Sequence, residues 1–257
     1  MDLLIRNIGE LFQVTEGIRP VSGAAMDTVP SATKAFLLIR DGKIADLGKE
    51  EAAPDVNVPV IDAEGGMVLP ALVDCHTHLV FPASREEEFV MKIRGMDYAS
   101  IARMGGGILN SARRLRATSE DELFTGSAAR LSEMISLGTG AVEIKSGYGL
   151  DTEGELKMLR VAGRLQRHFG IPVRKTFLGA HAVPAGTDRK SYIRLVIDEM
   201  LPAVAAENLA DDMDVFCEEG FFTVDDTLEL LEAGKRYGLY ARVHARSEEH
   251  TSELQSR

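Results

Sequence analysis

Apolar and polar residues alternate near period two through LLIRNIGEL, AFLLIRDGKIADLG and VIDAEGGMVLP in the first seventy residues. This is the pattern of strands that turn one face to a core. Asp41-Gly42 interrupts the second run as the two-residue turn of a hairpin. The stretch from Gly17 to Lys34 is rich in Pro, Ser, Thr and Ala and reads as a loop. From about Met67 the texture changes to strand, loop and helix in repetition. The runs VLPALVDCHTH, GAVEIKSG, VRKTFLGAHA, MDVFCEEG and LYARVHA predict five strands. Between them, Ser119-Glu120-Asp121-Glu122 is a capping box that opens a helix to about Leu137, where Gly138 suits its stop. Thr152-Glu153-Gly154-Glu155 carries the same signature and opens a helix ending near Gly170. Asp188–Glu207 and Thr223 to about Tyr237 complete the predicted helices.

Strands alternating with amphipathic helices imply right-handed βαβ units and a parallel sheet. Ionisable and polar residues fall at the strands' carboxyl ends: His76 and His78, Lys145 and Tyr148, His181, Glu218 and Glu219, and His244. In a (β/α)₈ barrel that end builds the active site. A Rossmann-type sheet is the competing topology, but no Gly-x-Gly-x-x-Gly follows a first strand, and no strand precedes Gly105-Gly106-Gly107. Five strands are too few to close an eight-stranded barrel, so the expected fold is an incomplete one.

Composition narrows the class. With 257 residues, 45% hydrophobic and 27% charged, the chain matches an ordinary globular α/β protein. No apolar run reaches the length of a membrane span, and no secretory signal opens the chain. Two cysteines, Cys75 and Cys217, make no disulfide framework, so a cytoplasmic location is expected. A net charge of −11 argues against a nucleic-acid partner.

Asp74-Cys75-His76-Thr77-His78 carries the strongest chemical signal. Side chains two apart on a strand share a face, so His76 and His78 point to one site while Cys75 points away. Two imidazoles on one rigid strand end are a good half of a divalent-metal site. His244 closes a later apolar strand, and such a site needs a third ligand from another strand. His168 lies in a helix and reads as solvated.

The runs LPALVDCHTHLVFPASREEEF, EIKSGYGLDTEGELKMLR, TFLGAHAVP, DEMLPAVAAENLA and DVFCEEGFFTV resemble the imidazolonepropionase family of the amidohydrolase superfamily. The resemblance implies a β-sandwich built from both chain ends beside a (β/α)₈ barrel. Residues 1–66 are then part of the sandwich, and 67–245 are the first five β/α units. It implies one zinc or iron ion on His76, His78 and His244, with an Asp as fourth ligand beyond this chain. The implied substrate is the small molecule 4-imidazolone-5-propanoate, and the implied assembly at full length is a homodimer.

Arg85 matches the family's carboxylate-binding arginine, and a guanidinium grips both carboxylate oxygens in a fork. Its pairing with neighbouring acids is the plainer alternative. Tyr148 matches a substrate-contacting tyrosine. His181 matches a substrate contact placed to donate to the oxyanion formed on carbonyl attack. Lys145 is read as structural, because the family resembled is mononuclear; a carbamylated lysine bridging two metals is the alternative.

The implied reaction opens the cyclic amide with a metal-activated water and yields N-formimidoyl-L-glutamate. Another amidohydrolase activity, ring deamination or hydantoin-type hydrolysis, stands as the alternative. Relatives carry a base in a His-Ala-Asp-Glu run, whereas here the run reads His244-Ala245-Arg246-Ser247. Ser247 holds the base position and Glu248 is one residue out of register. The segment Arg246–Arg257, which includes His250, resembles the translation of a sequencing-library adapter and is read as non-native. The native sequence is therefore expected to stop at Ala245, without general base or fourth ligand. A chain of this kind is expected to be inactive and to aggregate or bind metal weakly.

Overall fold

The alternating segments near the start do pair as strands. The computed structural model describes residues 1–15, 21–84, 86–96, 108–218 and 220–245. Arg85, Glu219 and the tail from Arg246 onward lie outside the described residues. The chain divides into one unit over Met1–Ala71 and a second from Leu72 onward.

In the first unit, β1 (Leu3–Phe12), β2 (Ser31–Arg40), β3 (Lys43–Lys49), β4 (Val60–Asp62) and β5 (Met67–Val68) form one sheet. Its order is β3-β2-β1-β4, with β5 also pairing with β1. Arg40 pairs with Lys43 across Asp41-Gly42, both at positive φ (52° and 72°), as a two-residue hairpin turn requires. Ser31–Lys34 belongs to β2 rather than to the expected loop, because it pairs with the end of β1. There the Ser31 hydroxyl donates to Glu10 at 2.7 Å. An extra residue on β1 between Ile5 and Ile8 forms a bulge, with Asn7 at φ 53°. Ile8, Leu11, Ala35 and Leu37 are buried in one cluster, and Leu4, Phe36 and Leu38 in another.

The second unit is a parallel sheet of β6 (Leu72–Thr77), β7 (Thr139–Lys145), β8 (Val173–Ala180), β9 (Asp212–Cys217) and β10 (Tyr240–Ala245). The strands lie in chain order, each parallel to the last. A Rossmann sheet reverses its strand order midway, whereas a barrel adds every strand on the same side. The observed order is that of an incomplete (β/α)₈ barrel. Both edge strands expose apolar side chains, Leu72 and Val73 on β6 and Tyr240 and Val243 on β10.

Among the described residues, the helices of this unit are α1 (Glu86–Ile93), α2 (Ile108–Ala117), α3 (Glu120–Ser136), α4 (Thr152–Phe169), α5 (Arg189–Leu195), α6 (Leu201–Ala206) and α7 (Val224–Arg236). Ser119 and Glu122 form the expected capping box on α3, and Thr223 and Asp226 form one on α7. At α4 the expectation fails: Asp151, not Thr152, is the cap and accepts from the Gly154 N–H. The single helix expected over Asp188–Glu207 is divided. Val196–Met200 forms a π-helical turn between α5 and α6, just before Pro202, which has no N–H to give to the preceding turn. Buried apolar residues from the helices cover the sheet. Leu123, Leu131, Val161 and Leu165 meet Val142 and Ile144, while Tyr192, Met200 and Leu230 meet Phe177, Met213 and Val215. Among the described residues, no helix is long and apolar enough to cross a membrane.

Candidate metal centre

A parallel sheet whose strands all end on one side gathers its terminal residues there. His76 lies in β6 and His78 one residue past its end, while His244 lies in β10. Each offers a ring nitrogen, and these atoms lie within 4.8 Å of one another. The ring centroids of His76 and His244 are 4.3 Å apart, and both rings are within 5.7 Å of His78. Side chains from the first and fifth strands of the sheet thus converge at its carboxyl end.

Burial and the neighbouring imidazoles of His181, His244 and His76 push the His78 pKa down to about 3. Burial and His244 lower that of His76 as well. Both rings are therefore neutral near pH 7 and keep a lone pair for a ligand. The buried Nδ1 of His78 makes no hydrogen bond among the described residues. A buried ring nitrogen without a partner is costly unless something coordinates it. Neutral imidazoles this close, one with an orphaned nitrogen, fit a divalent cation of the zinc or iron type.

A buried ionic network supports His244. Its Nδ1 lies 2.6 Å from Asp214 Oδ2, and Lys145 Nζ donates to the same oxygen at 2.8 Å. Lys145 also donates to Glu143 Oε1 at 2.6 Å, which accepts from the Thr176 hydroxyl. Glu143, Lys145 and Asp214 are each 1–2% exposed. Burial alone would raise the Asp214 carboxyl, but the hydrogen bonds and charges of His244 and Lys145 overcome it and hold it at about 2. Asp214 therefore stays ionised and keeps the proton on His244 Nδ1, leaving Nε2 for a ligand.

His181 and Tyr148 flank the cluster. The His181 ring stacks on His78 with centroids 5.2 Å apart, and Tyr148 lies 5.6 Å from His78 and 5.5 Å from His181. His181 Nδ1 lies 3.0 Å from the Gly147 carbonyl oxygen. A carbonyl only accepts, so Nδ1 carries a proton and neutral His181 has its lone pair on Nε2. Donation from Nε2 then needs the doubly protonated ring. Cys75 is exposed and Cys217 half-buried, both as free thiols. Exposed His168 lies far along α4, against Phe124 and Phe169.

Sequence reasoning missed Asp214 and Glu143. The available signal was acidic residues two apart on apolar strands: Asp212 and Asp214 on β9, and Glu143 two before Lys145 on β7. Such residues share a face with the strand-end site and point into the sheet's inner side.

Solved structures share this singly wound parallel sheet. The N-isopropylammelide isopropylaminohydrolase of Burkholderia multivorans has this fold, with a TM-score of 0.58 at 22% identity over 100% of this chain and 59% of that one. In sequence, the chain is 50% identical over 248 residues to the imidazolonepropionases of Christiangramia forsetii and Flavobacterium johnsoniae, across 95% of its own length. The chain is thus similar to these imidazolonepropionases and spans about 60% of their length. No family model matches it.

Proposed function

We propose that the whole protein hydrolyses the cyclic amide of 4-imidazolone-5-propanoate to N-formimidoyl-L-glutamate. The observation that carries this reading is the convergence of His76, His78 and His244, with ligand atoms within 4.8 Å, in a chain half identical to imidazolonepropionases. These three imidazoles would hold one zinc or iron ion. When bound, such an ion supplies the Lewis acidity that makes a water nucleophilic near neutral pH.

The chain's own groups have separate roles in this reading. Asp214 holds the His244 proton on Nδ1 and fixes the ring's orientation. His181, anchored through Nδ1, turns its other nitrogen to the substrate and, when doubly protonated, polarises the ring carbonyl. Tyr148 packs beside it as a wall of the substrate site. Arg85, outside the described residues, is proposed to take the propanoate carboxylate in a fork. Among the described residues the group able to hold a metal contains no carboxylate. The 257-residue chain alone is accordingly proposed to be inactive, with Ser247 at the position where the family resemblance implies a general base.

The test uses a chain of the relatives' full length that carries these residues. Loss of imidazolone absorbance without ammonia, abolished by His244→Ala, is the expected result. Ammonia released in step with substrate loss would instead assign a ring deaminase.

A further inference from the structure

Glu155 is fully buried on the first turns of α4, yet no helical role requires it there, because Asp151 already caps the helix. Its carboxylate faces back onto the loop after β7. Oε2 accepts from the Gly147 N–H at 2.8 Å, and Oε1 accepts from those of Gly149 and Leu150 at 2.8 and 3.0 Å. The Ser146 hydroxyl is a further hydrogen-bonding partner. One side chain thus gathers three backbone donors of the segment that presents Tyr148. The backbone is pressed tightly against the helix there: a Cβ on Gly149 would lie 2.4 Å from the Glu155 nitrogen and 2.8 Å from the Gly154 Cα.

The same loop meets His181. The Gly147 carbonyl takes the Nδ1 hydrogen bond, and a Cβ on Gly147, at φ 111°, would lie 2.8 Å from that nitrogen. Continuous contact therefore runs from Glu155 through the Gly147 peptide to the His181 ring, which stacks on His78. Burial opposes ionisation of Glu155, while the loop's hydrogen bonds favour it.

We propose that Glu155 is a positioning residue that clamps the Ser146–Leu150 loop and thereby fixes both the tautomer of His181 and the place of Tyr148. The functional importance of this clamp rests on the reading of His181 and Tyr148 as substrate contacts, but the clamp itself does not depend on which reaction is catalysed. A group that only stabilised the helix would leave the His181 tautomer unchanged when altered, whereas this clamp would not. Glu155→Gln keeps the size but turns an NH₂ toward a peptide N–H, so one of the three donors loses its acceptor.

The experiment is nitrogen NMR of the histidine rings in a metal-free chain of the relatives' full length that carries these residues, with assignment by His181→Gln. The wild type is expected to show His181 protonated on Nδ1 alone. Glu155→Gln is expected to lose that single state and show a tautomer mixture. An unchanged His181 pattern in Glu155→Gln, or a wild-type ring protonated on Nε2 alone, overturns the proposal. Hydrogen exchange in the wild type covers a variant that fails to fold. The Gly147, Gly149 and Leu150 amides must exchange slowly, and exchange at the rate of open loop amides overturns the proposal equally. A deaminase result in the activity assay would leave these outcomes untouched and sink only the substrate assignment.

Discussion

Replacing Asp214 with Asn removes one charge and almost no volume, and the structure sets what that costs. The carboxylate takes Lys145 Nζ at 2.8 Å and His244 Nδ1 at 2.6 Å on one oxygen, and its own neighbour's N–H, that of Val215, at 2.8 Å on the other. An amide can still serve Val215, but it then turns an NH₂ toward an ammonium and a ring N–H. A carboxyl held at about 2 rather than 3.8 corresponds to about 2.5 kcal/mol of preferential stabilisation of its charged form. Breaking a buried ion pair by removing one partner costs about 3–5 kcal/mol, because the remaining charge is stranded. Asp214→Asn is therefore expected to lower folding stability at pH 7 by about 2–5 kcal/mol in urea denaturation of the metal-free protein. The folded-state pKa lies below the unfolded value, so the wild type holds this contribution above its ordinary carboxyl range and loses it as pH falls toward 2. By about pH 3, about 1 kcal/mol of it is gone, and the variant lacks this part of the acid slope. Zinc affinity is expected to fall about 10–100-fold, as for other lost partners of a ligating histidine. A variant with wild-type stability, acid slope and zinc affinity would refute the reasoning.

Arg130 donates to the carbonyls of Leu79 and Phe81 at 3.0 and 2.8 Å and lies 3.7 Å from the Phe81 ring centroid. Arg130→Met should cost about 2–3 kcal/mol in a thermal melt and open the segment after His78 to proteolysis. Gly9→Ala would put a Cβ 2.1 Å from the Gly65 carbonyl oxygen. It should destabilise the first sheet by about 3 kcal/mol, read as an earlier loss of hydrogen-exchange protection in β1 than in β8. Thr223→Ala removes the reciprocal cap with Asp226 and should lower stability by about 1 kcal/mol in urea denaturation, without changing zinc affinity.

Alternation and capping made the five parallel strands and most of the helices legible, because a sheet covered by helices imposes those periods wherever it buries a face. Asp41-Gly42 was readable for the same local reason, since few residue pairs accept two positive φ values. What escaped notice depended on distant partners. Ser31–Lys34 looks like loop, yet its pairing with β1 makes it strand. Thr152 and Glu155 have the spacing of a capping box, but the stronger cap Asp151 stands one residue earlier and the loop after β7 claims Glu155. The strand-end histidines stood out because imidazole is rare and paired there. Asp214 did not, because a strand acid gains its meaning only when Lys145 and His244 are brought to it from 69 and 30 residues away.

The most direct test is zinc-edge X-ray absorption on a chain of the relatives' full length that carries these residues, held in excess over zinc, with His244→Ala alongside. Three imidazole nitrogens at about 2.0–2.1 Å are predicted in the wild type, one of them lost in the variant. An oxygen-only shell, or the same shell in both proteins, would contradict the convergence of His76, His78 and His244 on one ion.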